Sequence, residues 1–288
     1  MGAILGGTGA AVAWAFASVC AARSSRAVGP QVALAWVMVV GLALLLPLLA
    51  FSAAPDVSGM TAVWLLSSGV ANIGGLLVTY RALQAGPVGV VAPIVAAEGG
   101  VTAVIAVLAG QSLGAVQAVA LASVLVGVVM VAWQVDPPEV ADPVPGGEHP
   151  QDIRRAALLA TAGALIFGVG LYTTGRAGDE VPVAWAVLPA RLIGVLVLSV
   201  PLALAGRMGV PRSIVPFVAA GGCLEVIGFI CFTVGSGSSI AVAAVLASLT
   251  GAVAAGLGRI FYAERLTARQ LAGVAVLVAA VGTLGALT

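Results

Sequence analysis

Runs of about 20 apolar residues, divided by Gly, Pro, Ser and charged residues, fill this 288-residue chain almost from end to end. Ten can be marked off: 3–22, 30–51, 62–83, 88–109, 113–133, 154–174, 183–205, 213–234, 238–259 and 267–287. Lipid offers no partner for a backbone amide, so a spanning segment is either a helix or a strand of a closed barrel. Barrel strands are about 10 residues long and alternate polar with apolar. These runs are twice that length and apolar on all sides. The expected fold class is an all-α integral membrane protein with ten transmembrane helices.

Only 8% of the residues are charged, against about 25% in ordinary soluble domains, too few to cover a water-soluble surface. The net charge of +1 offers no basic face for nucleic acid, and all 12 basic residues are Arg. Ten spans leave no room for a soluble catalytic domain. Cys20, Cys223 and Cys231 lie in apolar runs without a CxxC pair, and the one histidine, His149, stands in a polar segment. Neither a disulfide framework nor a metal site is suggested. No cofactor is implied; the expected partners are a small-molecule solute and the lipid bilayer. The N-terminal apolar run has no basic residue before it and reads as a first membrane helix rather than a cleaved signal.

The stretch from Gln134 to Asp152 breaks the pattern. It holds five prolines and five of the 11 acidic residues. It reads as an exposed linker, 134–153, between two five-helix halves, 1–133 and 154–288. The halves look like copies: a shift of 153 residues places Arg23 on Arg176, Gly41 on Gly194, Gly69 on Gly222, Gly75 on Gly228, Leu113 on Leu266 and Gln117 on Gln270. An odd number of helices per copy turns the second upside down, which gives the inverted repeat of many secondary transporters. Arginine placement predicts the orientation. Loops after odd-numbered spans carry ten of the 12 arginines, whereas those after even-numbered spans carry only Arg176. The odd loops are therefore expected in the cytoplasm and both termini outside.

Two segments carry a family resemblance. Tyr80-Arg-Ala-Leu-Gln-Ala-Gly-Pro-Val-Gly-Val-Val-Ala-Pro-Ile94 resembles the motif joining helices 3 and 4 of EamA-type members of the drug/metabolite transporter superfamily. Ala263-Glu-Arg-Leu-Thr-Ala-Arg-Gln-Leu-Ala-Gly273 resembles that family's signature between its last two helices, and Gly110-Gln-Ser-Leu-Gly-Ala-Val-Gln117 is a degenerate copy in the first half. The resemblance implies a ten-helix transporter in the cytoplasmic membrane, with a central cavity lined mainly by helices 1, 3, 4, 6, 8 and 9. Glu264 and Arg265 lie in the signature but sit at a helix end, where capping and anchoring explain them.

A charge at bilayer depth costs at least about 2.5–3.5 kcal/mol on insertion scales, so it persists only with a partner, a wet cavity or a function. Glu98, Glu225 and Arg191 meet that description. Glu98 follows Pro93 and precedes Gly99 and Gly100, as in the interrupted helices that frame transport sites. It reads as a protonatable carboxyl for a cationic group or a coupling proton, or else as a neutral tie between helices. Glu225 and its repeat mate Asn72 are both polar at mid-span on small-residue faces. They read as site residues or as interhelical glue, with a Glu225–Arg191 ion pair as one form of that glue. Arg191 alternatively snorkels or holds an anionic group. Ser248 lies on a small-residue ladder of the ninth span, and Gly251 there is the repeat mate of Glu98. Trp14 and Tyr172 are candidate aromatic walls, with Trp14 able to engage a cation.

The expected function is a secondary transporter that moves a small metabolite, amino acid or drug-like solute by alternating access, with proton exchange as a drive. A passive channel is the alternative. A membrane-embedded lipid enzyme lacks support, because no helix carries an HExxH or paired-carboxylate motif.

Overall fold

In a computed structural model of the chain, residues 1–112 and 152–262 are described throughout, with scattered positions between 114 and 126 and between 272 and 279. The expected fifth and tenth spans and the linker lie largely outside the described residues, and Glu264 and Arg265 wholly so. The described residues form helices and no strands. Eight helical stretches are long and apolar enough to cross a membrane. Four are single helices: α1 (Gly2–Val28), α2 (Pro30–Ala50), α3 (Gly59–Ala85) and α6 (Ile153–Glu180).

The fourth span, Val88–Leu108, is divided into α4 (Val88–Val95) and α5 (Glu98–Leu108). The cause is local. Pro93 lies inside α4, and at Ala96–Ala97 the ladder tightens to i→i+3 bonds, from the Ala97 amide to Ile94 O at 3.1 Å and from the Gly99 amide to Ala96 O at 3.4 Å, before α5 runs on. The sixth described span combines α7 (Val183–Gly194), a π turn (Val195–Ser199) and α8 (Val200–Leu204). Pro201 removes one donor just after the π turn. Next comes α9 (Val215–Ser236). The last described span is divided again, into α10 (Ile240–Ala247) and α11 (Leu249–Tyr262). There Ser248 Oγ donates to the Ala244 carbonyl at 3.3 Å, a side-chain bond that competes with the backbone ladder.

Helix starts are capped by side chains that the sequence supplies. Ser58 accepts from the Thr61 amide at 3.1 Å, Asp152 from Arg155 at 2.9 Å and Ser239 from Val242 at 3.3 Å. At the opposite kind of end, Arg26 donates to the carbonyls of Leu83 at 3.2 Å and Gly86 at 2.9 Å. This binds the end of α1 to the end of α3 and places a cation at a helix C-terminus, where it is favoured. The Asp152 amide donates to Ala85 O at 3.1 Å, so α6 starts beside the same end. Large apolar side chains such as Leu46, Leu66, Leu158, Leu196 and Ile260 face outward around the bundle, as a lipid-embedded surface requires.

Packing is pairwise and reciprocal. Helix α1 packs along α9, and α6 packs along α3. The second span lies on α9 as α7 lies on α3, and the two divided spans cross each other, α4 on α11 and α5 on α10. Gly251 lets this crossing close, since a Cβ there would stand 2.7 Å from Pro93 Cα.

Candidate functional site

Between these helices lies a cavity of about 510 Å3 of empty space, its mouth included. Each wall is one helical stripe. Trp14, Ala17, Ser18 and Ala21 come from α1, spaced so that they share a face. Leu76, Thr79, Tyr80 and Leu83 form the same kind of stripe on α3. Phe167 and Leu171 of α6, and Glu225 and Phe229 of α9, are each one turn apart. Val95 closes α4, Glu98 opens α5 and Thr250 comes from α11. These are the six spans that the family resemblance implied. The cavity reaches from mid-helix toward Ala21 and Leu83, the end at which Arg26 ties α1 to α3.

Glu98 and Glu225 are each 7% exposed and face this space. Neither carboxyl has a hydrogen-bond or ion-pair partner among the described residues, and each lies within electrostatic reach of the other. Glu98 is the first residue of α5, and a helix N-terminus favours a negative charge. Arg191 is fully buried on α7 but forms no ion pair with Glu225. Its guanidinium stands 5.3 Å from the Phe229 ring centre, and Nη1 is 3.6 Å from Met38 Sδ. Nε and Nη2 have no hydrogen-bond partner. Arg191 and Glu225 still interact through space, across the low-dielectric interior behind Phe229. These three are the only buried charged residues among the described residues.

Of the seven residues singled out from the sequence, Trp14, Glu98 and Glu225 line the cavity and Arg191 stands directly behind it. Asn72 belongs to the α3 stripe but lies one turn beyond Leu76, buried and with both amide atoms unpartnered. Tyr172 is one residue past Leu171, a rotation of about 100° that takes it out of the cavity. It meets Trp64 edge-on at 6.1 Å instead. Ser248 sits at the break between α10 and α11.

Sequence reasoning missed Tyr80, Thr79, Ser18 and Thr250 as lining groups. The i, i+3, i+4, i+7 spacing of the α3 stripe was a readable signal, and Tyr80 begins the quoted motif.

Two aromatic walls are built alike. Trp14 lies on Gly228, where a Cβ would come 2.6 Å from Cδ1, and Phe167 lies on Gly75, where a Cβ would come 2.9 Å from its ring. Phe167 stands 153 residues after Trp14, and Gly228 stands 153 after Gly75. The same relation recurs at Gly41, which faces Arg191 and Val226, and Gly194, which faces Met38 and Ile73. Each named residue of one set is the 153-shifted mate of one in the other.

A bundle of eight apolar stretches long enough to cross a membrane, around a cavity that holds two acids, is the architecture of a multi-pass membrane protein. Residues 1–133 match the EamA-like transporter family. The match covers just under half of the chain and marks a likeness to that family of membrane transporters. A solved crystal structure, described only as that of a protein, has 18% identity and a TM-score of 0.70, with 99% of this chain and 96% of that one covered. That likeness shows a shared fold. Among curated proteins nothing matches.

Proposed function

We propose that the chain is a secondary transporter that moves a small metabolite, amino acid or drug-like solute across the cytoplasmic membrane by alternating access, with proton exchange as its drive. One observation carries this reading: two carboxyls without hydrogen-bond partners face a mid-span cavity, one of them at the restart of a broken helix. Glu98 and Glu225 are the binding groups and Trp14 is a wall; Arg191 tunes them from behind. Asn72 lies on the route beyond, and Tyr172 and Ser248 serve packing.

The full architecture is ten helices in two inverted repeats, residues 1–133 and 154–288, joined by the linker 134–153. The reciprocal packing of α1 on α9 and α6 on α3 supports it, as do the paired glycine contacts. With the Arg-rich loops in the cytoplasm, the cavity faces inward and both termini lie outside. A C-terminal reporter that works only outside the cytoplasm is expected to be active; activity of a cytoplasm-only reporter would reverse the orientation.

The central test is a solute screen in proteoliposomes under an imposed proton gradient. Wild type is expected to concentrate at least one solute, and Glu98→Gln is expected to lose proton-driven accumulation at least tenfold. Undiminished proton-coupled transport by that variant removes Glu98 from the mechanism. Downhill movement alone, insensitive to the gradient, favours a passive channel.

A further inference from the structure

Two corners of the bundle follow one plan. The Arg23 guanidinium of α1 stands 5.6 Å from the Phe217 ring centre of α9. The Arg176 guanidinium of α6 stands 6.0 Å from the Trp64 ring centre of α3. Arg176 comes 153 residues after Arg23, and Phe217 comes 153 after Trp64, so the two contacts are repeat mates. They lie at opposite ends of the bundle. Helix α1 ends beside the start of α6, whereas Arg176 belongs to the end of α6.

The corners differ in charge. Around Arg176 the protein supplies its own anions. Asp179 Oδ2 lies 3.4 Å from Nη1, and Glu180 accepts from Thr61 in the first turn of α3. Ser58 also caps that helix start. Around Arg23 no acid takes those places: the mate of Asp179 is Arg26, and the mate of Glu180 is Ala27. The start of α9 has no side-chain cap, although a helix start favours an anion. The loop before it, 205–214, adds Arg207 and Arg212, both exposed like Arg23. Among the described residues these three arginines have no ion pair and no side-chain hydrogen bond. The only described acid at this end, Asp152, is taken up as the cap of α6.

We infer that the Arg23 corner binds the headgroup of an anionic phospholipid, with Arg23 and Arg212 holding the phosphate and Arg207 adding positive charge. The lipid supplies the anion that the other corner finds in Asp179 and Glu180. The site is independent of what the chamber carries. Guanidinium groups bind phosphate oxygens through paired N–H donors. The backbone that presents them is fixed. The Trp36 indole of α2 donates to Met208 O at 2.9 Å, the Arg207 amide to Leu202 O at 2.8 Å and the Ile214 amide to Pro211 O at 2.8 Å. Acyl chains have an apolar surface on both flanks of the loop, where Leu204 is 85% exposed and Val215 48%. A zwitterionic headgroup brings a cation of its own to a corner that already carries three, so charge selects the anionic lipid. A soluble phosphate gains nothing from the apolar flanks.

The test uses the full-length protein in detergent, stripped of lipid. It is titrated with dioctanoyl phosphatidylglycerol, dioctanoyl phosphatidylcholine and glycerol 1-phosphate. Bound molecules are counted by native mass spectrometry, and affinity is read from the shift in melting temperature. At least one phosphatidylglycerol is expected to bind, about tenfold tighter than phosphatidylcholine or glycerol 1-phosphate. R23Q/R212Q is expected to weaken it at least tenfold. R154Q/R155Q removes the same charge from exposed positions at the same end, and is expected to change affinity less than twofold. Helicity and gel filtration establish that each variant folds. If R23Q/R212Q does not fold, R212Q alone, a change in an exposed loop, is expected to weaken binding about threefold.

Equal losses in R23Q/R212Q and R154Q/R155Q would reveal a diffuse basic face and overturn the site. Equal affinity for phosphatidylcholine would overturn the charge selection. Glycerol 1-phosphate binding as tightly as the lipid would make this a site for free phosphate and overturn the lipid assignment. The acids of the linker are the other source of negative charge in the chain. A variant carrying D136N, E139Q, D142N and E148Q is expected to bind phosphatidylglycerol within twofold of wild type. A tenfold gain in that variant would show that the linker fills the corner, and would overturn the lipid as its occupant.

Discussion

The two ends of the bundle are built from different materials. Toward Ala21 and Leu83 the helices stand apart around the chamber, and acids, hydroxyls and rings face the gap. Toward the starts of α1 and α10 the same helices touch backbone to backbone. A Cβ at Gly6 would stand 2.6 Å from Gly235 Cα, and one at Gly7 would stand 2.6 Å from Ala243 O. Gly175 makes room for the Ile240 side chain, where a Cβ would stand 2.9 Å from Cγ1. Two side-chain bridges among the described residues span this end: Gln111 donates to Ser239 Oγ at 3.0 Å and accepts from the Ala241 amide at 3.2 Å, and Thr61 Oγ1 donates to Glu180 Oε2, tying the start of α3 to the end of α6. Small-residue contacts and these two polar bridges hold this end, and no buried ion pair does so among the described residues. The divided spans also give each end its own short helices, α10 and α5 at the closed end and α4 and α11 at the other, so the two ends need not move together.

The hardest way to break this comparison is to fill the closed end. Gly6→Leu forces a side chain against the α9 backbone, and overpacking of that kind costs about 1–3 kcal/mol or more. We expect a variant that cannot seal: transport falls at least tenfold, while a cysteine placed at Thr233 labels faster from the outside. Wild-type transport with unchanged labelling would show that the glycine contact is not the seal. Next in size is Gly228→Ala at the chamber. The methyl group displaces the Trp14 indole, so solute affinity is expected to drop several-fold while labelling at the closed end stays as in wild type. Gln111→Ala is smaller. It removes a bridge whose hydrogen bonds are each worth about 0.5–1.5 kcal/mol, and labelling at the closed end should rise by up to about tenfold with solute affinity retained.

How much of this was legible in the sequence depends on the residue. The scarcity of charge singled out Glu98, Glu225 and Arg191, and these are the three buried charges of the described structure. Pro93 and the glycines beside Glu98 announced the break in the fourth span. The break at Ser248 had no proline to announce it. The face of each helix was harder to read. A span apolar on every side has no amphipathic pattern to fix its rotation, and one residue turns a side chain by about 100°. That is why Tyr172 could be taken for a wall when its neighbour Leu171 is the lining residue. A Glu225–Arg191 ion pair was a natural expectation for adjacent spans, but Arg191 packs on Met38 and Phe229 instead.

Asn72 gives the finest test of the boundary between the two ends. It continues the α3 stripe one turn past the chamber, and its amide oxygen and nitrogen are both buried without a partner. A buried amide left unsatisfied costs about 1–3 kcal/mol, so replacing it with a similar apolar shape removes that penalty. Asn72→Leu is therefore expected to raise the apparent melting temperature by a few degrees in detergent. If Asn72 only fills space, transport is unchanged. If the solute passes it when the closed end parts, the leucine removes the one polar group on that stretch of the stripe, and transport slows about two- to fivefold while binding from the chamber side is unaffected. A variant that is more stable, binds equally well and transports more slowly would place Asn72 on the route and mark where the chamber ends and the seal begins. A variant that is less stable would show that the amide is satisfied in the membrane, for instance by water, and that the chamber extends a turn deeper than its present lining.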